Sequence, residues 1–330
     1  MLFSIAVITT SFLVGFAMKR GGLCTYAAVL QIVNLRRADR LFDFLGAAAW
    51  AAVVVVTLSW WLPLHVSLSG THVQISMAMS GGFVLGLGAY INRGCVFGTF
   101  VQLVGGNLTY LATLLGMSAG VVITHALLND IVPEITRTSV VTKPGLVGLV
   151  WLFATGLFAL AMLVQFRRPD TTKKAGVTRL HFRHRQAIFV MLVLGIGGGL
   201  LFATISGWDF ASVLTNSTLN VLDSVNPGPG ALPILCTLAM VAGGIYAAVS
   251  GGSFSIQAPR LLPFIGCLAG GALMGSAAFV IPGGNDGMLL KGIPSLAPHA
   301  IIGFIFMVAA MMLLFRRFPN SRGYTNESMF

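Results

Sequence analysis

Nine apolar runs dominate this chain, at residues 2–18, 41–61, 75–91, 107–128, 145–166, 186–206, 231–249, 261–281 and 298–315. A bilayer core is about 30 Å thick, and a helix of roughly 20 apolar residues crosses it. Inside hydrocarbon every backbone N–H and C=O needs a partner within the protein, so repeated runs of this length read as a helical bundle. Soluble domains carry about 25% charged residues; here the figure is 9%, too little to cover a surface in water. The 40 glycines agree, because small residues let membrane helices approach closely. The expectation is an all-α polytopic membrane protein with about nine transmembrane helices. The first run has no basic residues before it and no small-residue cleavage site before Lys19, so it reads as a retained helix.

A net charge of +11 would suggest nucleic acid as the partner of a soluble protein. In this chain the cations mark topology instead, and no nucleic-acid partner is expected. Arg36, Arg37, Arg40, the seven Lys/Arg of 167–185, Arg260, Arg316, Arg317 and Arg322 make 14 of the 20 cations. With nine spans they all fall on one side, which the positive-inside rule makes cytoplasmic. The N-terminus is then outside and the C-terminus cytoplasmic. That count requires the interruptions at 19–34, 92–106, 207–223 and 282–297 to be re-entrant or interfacial pieces.

The most unusual interruption lies in Ser80–Thr99, SGGFVLGLGAYINRGCVFGT. An apolar helix breaks at Asn92-Arg93-Gly94-Cys95 and restarts at Val96 and Gly98. Lys19-Arg20-Gly21-Gly22-Leu23-Cys24 makes a similar break before Thr25. A charge at mid-membrane costs about 2.5–3.5 kcal/mol on insertion scales and normally faces a cavity or partner. Lys19, Arg20, Arg93 and Lys291 each lie at a break. For Lys19 and Lys291, snorkelling at a helix end explains the charge equally well.

The two halves share a grammar: span, break, short helix, two spans, break, short helix, span. It runs through 2–128 and again through 186–315, with the span 145–166 between them. Gly81-Gly82 and Gly86 precede the break at Gly94, as Gly270-Gly271 and Gly275 precede the break at Gly283-Gly284. The division is a first membrane repeat 1–144, a linking helix and basic cytoplasmic loop 145–185, and a second repeat with its tail 186–330. An odd linking span makes the repeat inverted, an arrangement that places substrate between discontinuous helices near the midplane.

A helix that restarts inside the membrane presents unpaired N–H groups and a partial positive charge, and so favours an anion. Sulfur at the same place suits a polarizable guest, with S–H as a weak donor. Cys24 and Cys95 each follow a cation-glycine break, whereas Cys236 and Cys267 sit in plain apolar runs and read as small hydrophobes. The substrate path is therefore expected to include Cys24, Cys95, Arg20, Arg93, Gly22, Asn92, Gly94 and Gly98, with Lys19, Gly284, Asn285 and Lys291 as secondary candidates. No Cys/His metal spacing, CxxC pair, dinucleotide fingerprint or Walker A pattern occurs, so no metal, no cofactor and no enzymatic activity is expected.

GLGAYINRGCVFGTFVQLVGGNL, the earlier KRGGLC and the later RLLPFIGCLAGGALMGSAAFVIPGGNDGML together resemble the YeeE/YedE family of bacterial inner-membrane transporters. The resemblance implies an hourglass fold with inverted halves and uptake of thiosulfate or a related sulfur compound. It also implies that cysteines along a narrow central path pass the anion on through S–H···S contacts, with Cys24 and Cys95 at two such positions. The family often carries a Gly-Cys-x-x-Gly in the second half, where this chain reads Gly283-Gly284-Asn285-Asp286-Gly287. Asn285 keeps a donor there, while Asp286 would repel an anion unless Lys291 pairs with it. Alternatives are a carrier for a selenium compound or a neutral sulfur species, and a membrane redox or sulfur-relay protein that docks a cytoplasmic sulfur carrier.

Overall fold

The computed structural model describes residues 2–22, 24–62, 68–70, 75–128, 139–167, 188–205, 208–222, 228–281 and 283–318. The basic stretch 168–185, Arg137 and Arg322 lie outside them. The described chain is helical: α1 (Leu2–Gly21), α2 (Thr25–Leu35), α3 (Asp39–Trp61), α4 (Ile75–Asn92), α5 (Val96–Val104), α6 (Leu111–Leu128) and α7 (Leu146–Arg167). There follow α8 (Ile188–Thr204), with a π-helical turn at Val193–Gly197, and α9 (Phe210–Leu222). Then come α10 (Ala231–Ser250), α11 (Leu261–Val280), the single turn α12 (Gly284–Gly287), a π turn at Met288–Gly292, and α13 (Pro298–Arg317). Eight spans among the described residues are long and apolar enough to cross a membrane, and α8 is a shorter apolar helix at the sixth of the nine expected runs, 186–206.

α4 and α11 pack on each other at the centre; α13 covers α4, and α6 covers α11. α1 runs along α10, and α3 carries α7 and α8. The close approaches depend on missing side chains. A Cβ on Gly82 would strike the Gly303 carbonyl, and one on Gly275 the Met117 carbonyl. Backbones that touch this way gain dispersion contacts that larger side chains would forbid. Gly81, near the start of α4, abuts Ile281 at the C-terminal end of α11, and Gly270, in the middle of α11, abuts Asn92 at the end of α4, so α4 and α11 run antiparallel. α7 turns Leu149, Val150, Phe153, Leu157 and Leu160 outward. Such a face belongs against lipid chains.

Both breaks in the first half are built alike. α1 is followed by Gly22 at φ 56°, and α4 by Arg93 at φ 58°. In each case a cysteine two residues later is extended and precedes the next helix, Cys24 before α2 and Cys95 before α5. At the end of α4, Gly94 N donates to Ala89 O (3.0 Å) and Arg93 N to Tyr90 O (3.2 Å). These bonds form a Schellman closure, which satisfies the last carbonyls of a helix without water.

The first break differs from its reading in sequence. Lys19 and Arg20 belong to the last turn of α1, not to the restart of α2. Cations there complement the negative end of the helix dipole. α1 carries on through them because the left-handed residue that stops it is Gly22.

Candidate functional site

The two broken helices bring their restarts together. Cys24 Sγ lies 3.8 Å from Cys95 Sγ, within thiol hydrogen-bond range. The first N–H of α2, on Thr25, donates to Cys95 Sγ at 3.2 Å. The first N–H of α5, on Val96, donates at 3.2 Å to Asn285 Oδ1, which comes from the second half of the chain. Asn285 Nδ2 reaches Thr25 Oγ1 at 3.4 Å. Each restart thus gives up one otherwise unpaired donor, one to sulfur and one to an amide, as hydrocarbon surroundings demand. Cys95, Thr25 and Asn285 are buried, and Cys24 is partly exposed. Neither cysteine caps its own helix with its side chain, which leaves both sulfurs turned to each other.

Gly98 makes the pair possible. A Cβ at Gly98 would collide with Cys24 Sγ, so the first turn of α5 must be bare where the sulfur lies. Asn92 holds the break. Its Nδ2 donates to Gly94 O (2.7 Å) and to Thr99 Oγ1 (3.0 Å), and its Oδ1 accepts from Thr113 Oγ1 (2.6 Å). With these bonds made, the side chain clamps α4, α5 and α6 rather than offering itself to a guest. Cys267 Sγ approaches the Asn92 carbonyl at 4.0 Å, so this sulfur, read from sequence as a plain hydrophobe, supports the same break. Cys236 is buried in α10.

The cations take other positions. Lys19 Nζ donates to Val101 O at 3.3 Å, near the end of α5. Arg20 donates to Ser250 Oγ at 3.3 Å and stacks on the Phe16 ring, 5.5 Å from its centroid. Arg93 is exposed beside the break. Lys291 lies within electrostatic reach of Asp209. Asp286, for its part, accepts from Phe210 N (3.0 Å) and Ala211 N (3.4 Å) and so caps α9. A carboxylate at a helix N-terminus is favoured by both the free N–H groups and the dipole.

At Gly284, where the third thiol of the resemblance would stand, φ is +53°. A Cβ there would lie 3.1 Å from Ala211 Cβ and 3.3 Å from Asp286 Oδ1. The backbone is shaped for glycine, so this half meets the site through Asn285 and not through sulfur.

Among the described residues no group of His, Cys, Asp or Glu could hold a metal ion. Thr25 escaped the sequence reading because a threonine after a cysteine carries no signal by itself; only its placement beside Asn285 gives it a role.

Two neighbouring thiols at paired helix restarts, inside a bundle of membrane-length helices, set the context for comparison. The sulphur transport family matches residues 20–313. The chain belongs to that family, the YeeE/YedE family. The match takes in the cysteine-bearing restarts of both breaks of the first half and the Gly283–Gly287 segment of the second. No curated protein matches the chain. As a member of this family with eight membrane-length spans among its described residues, it is a multi-pass membrane protein of sulphur transport.

Proposed function

We propose that this protein takes up a small sulfur-containing anion, thiosulfate or a related compound, across the bacterial inner membrane through the Cys24–Cys95 site. The observation that carries the reading is the 3.8 Å thiol pair seated at two helix restarts. Helix N-termini attract the anion. Two soft sulfurs and a Thr25–Asn285 amide contact then hold it without a covalent bond. Gly22, Gly94 and Gly98 give the path its close backbone approach, Asn92 keeps the break open, and Arg20, Arg93 and Lys19 supply positive potential around it.

Alternating access follows from two halves, 1–144 and 186–330, inverted relative to each other. Supporting this, Gly81 stands to Ile281 as Gly270 stands to Asn92. Equivalent helices packed antiparallel imply a pseudo-two-fold axis across the helices, in the membrane plane. The N-terminus is placed outside and the C-terminus in the cytoplasm by the cation count. A cytoplasmic sulfur-carrier protein is the natural acceptor of the anion on that side.

The test is growth of a host lacking sulfur-compound uptake on single sulfur sources, with initial uptake of labelled thiosulfate measured in the same cells. Uptake that depends on the inserted protein is the expected result. Correct insertion without uptake of any sulfur compound would refute the reading.

A further inference from the structure

Near the thiol pair lies a cavity of about 20 Å³. Its walls come from α1, α5, α8 and α10, with Val14, Met18, Phe97, Phe202 and Met240 among them. Trp208 and Asp286 also line it. Both are 3% exposed, and Trp208 Nε1 and Asp286 Oδ1 meet no hydrogen-bond partner among the described residues. Buried polar atoms without partners are uncommon and costly, and two on one apolar cavity call for a guest that satisfies both. The volume suffices for one water-sized guest, since a water needs about 10–15 Å³. Met18, Met240 and Leu290 are flexible walls that can yield to a larger one.

The cavity adjoins the thiol site. Val96 lines it and gives its N–H to Asn285, the neighbour of Asp286 in the chain. The indole N–H can only donate. The α9 cap engages only Oδ2 of Asp286, so the unpaired Oδ1 of the ionised group stays expensive to bury; a proton on Oδ1 removes that cost and makes it a donor. Two such donors then belong to residues that line one space. Gly284 lies close against that oxygen: a Cβ there would sit 3.3 Å from it.

We infer that this cavity is a second resting site for the transported anion, held by Trp208 Nε1–H and a protonated Asp286, so that one proton travels with each anion. The inference rests on the transport reading above. The Asp286 carboxylate takes up a proton as the anion arrives, donates it in a hydrogen bond, and releases it as the anion leaves. No covalent bond forms and no electron moves. Asp209 and Lys291 are the charged neighbours on the segments packed against α12. α5 brings Cys95 at its start, α11 brings only Cys267, and α1 brings Lys19 and Arg20 at its end.

The test uses the full-length protein in liposomes with labelled thiosulfate and an imposed pH gradient. A proton gradient drives symport toward the alkaline side whichever way the protein is inserted. Wild-type uptake should rise severalfold with the gradient. Asp286→Asn, a permanent neutral donor, should show the same residual uptake with and without the gradient, whatever that uptake amounts to. Trp208→Phe should raise KM severalfold and keep the response. A wild-type response to pH in Asp286→Asn would overturn the inference. Infrared difference spectra give a readout that needs no transport: adding thiosulfate should raise a protonated-carboxyl band in the wild type that is missing in Asp286→Asn, and identical difference spectra would equally overturn it. Absence of thiosulfate uptake by the wild type at every pH counts instead against the transport reading, and the infrared band then decides the carboxyl by itself.

Discussion

Cys24 Sγ and Cys95 Sγ meet at 3.8 Å although the residues are 71 apart in the chain, and Asn285 of the other half closes over both helix restarts. A polarizable anion entering between the sulfurs therefore finds soft contacts and two helix N-termini at once.

Serine in place of either cysteine keeps a donor of similar size but loses polarizability. Cys24→Ser or Cys95→Ser should lower initial thiosulfate uptake roughly tenfold, equivalent to about 1.4 kcal/mol of binding. Cys236→Ser is the proper control, because Cys236 lies in α10 away from both restarts. Cys267→Ser is not, since Cys267 leans on the Asn92 carbonyl. Equal loss in the Cys236 variant would point to packing damage and not to a thiol path.

Gly98→Ala should reduce uptake with normal membrane insertion, because the new methyl occupies the place of the Cys24 sulfur. The damage should largely disappear in a Cys24→Ala background, where only an ordinary Cβ contact remains. The measurement is a double-mutant cycle on uptake, in which contacting residues are non-additive. Additive effects would mean that Gly98 acts elsewhere.

Asn92→Ala removes three hydrogen bonds and strands Thr113 and Thr99 in a buried place. The expected loss of stability is about 1–3 kcal/mol, the cost of leaving buried groups unsatisfied. A lowered unfolding midpoint of the detergent-purified protein reads it. Thr113→Val should show a smaller drop, since one bond of the three is lost.

Arg93 is exposed and left-handed at φ 58°. Alanine and lysine share that backbone strain equally, so comparing them isolates the charge. Arg93→Ala should reduce uptake more than Arg93→Lys, which keeps the charge without the planar fork. Two variants that both transport like the wild type would reduce Arg93 to an anchor at the membrane surface.

Orientation is tested by cysteine labelling from outside, in a background without native thiols. Residue 67 should react and residue 175 should not; both lie outside the described residues. The opposite pattern would invert the topology derived from the cations.

The sequence alone pointed to the solvent of this protein and to about nine membrane-length runs, of which eight keep that length among the described residues. Apolar runs such as 75–91 and 298–315 are long because a bilayer is thick, and that is a property of local composition. Cys24 and Cys95 were legible for a related reason: a glycine beside a cation cannot continue quietly through hydrocarbon. Only the tertiary structure decided what those breaks face. Lys19 and Arg20 turned out to end α1, since a helix stops where a left-handed residue fits, and Gly22 is that residue. Asn92 looked like a ligand and proved to be a clamp, because its partners Thr99 and Thr113 arrive on two other helices. Thr25, Trp208 and Asp286 acquire meaning only from neighbours many residues distant, and packing, unlike hydropathy, cannot be read along a single strand of text.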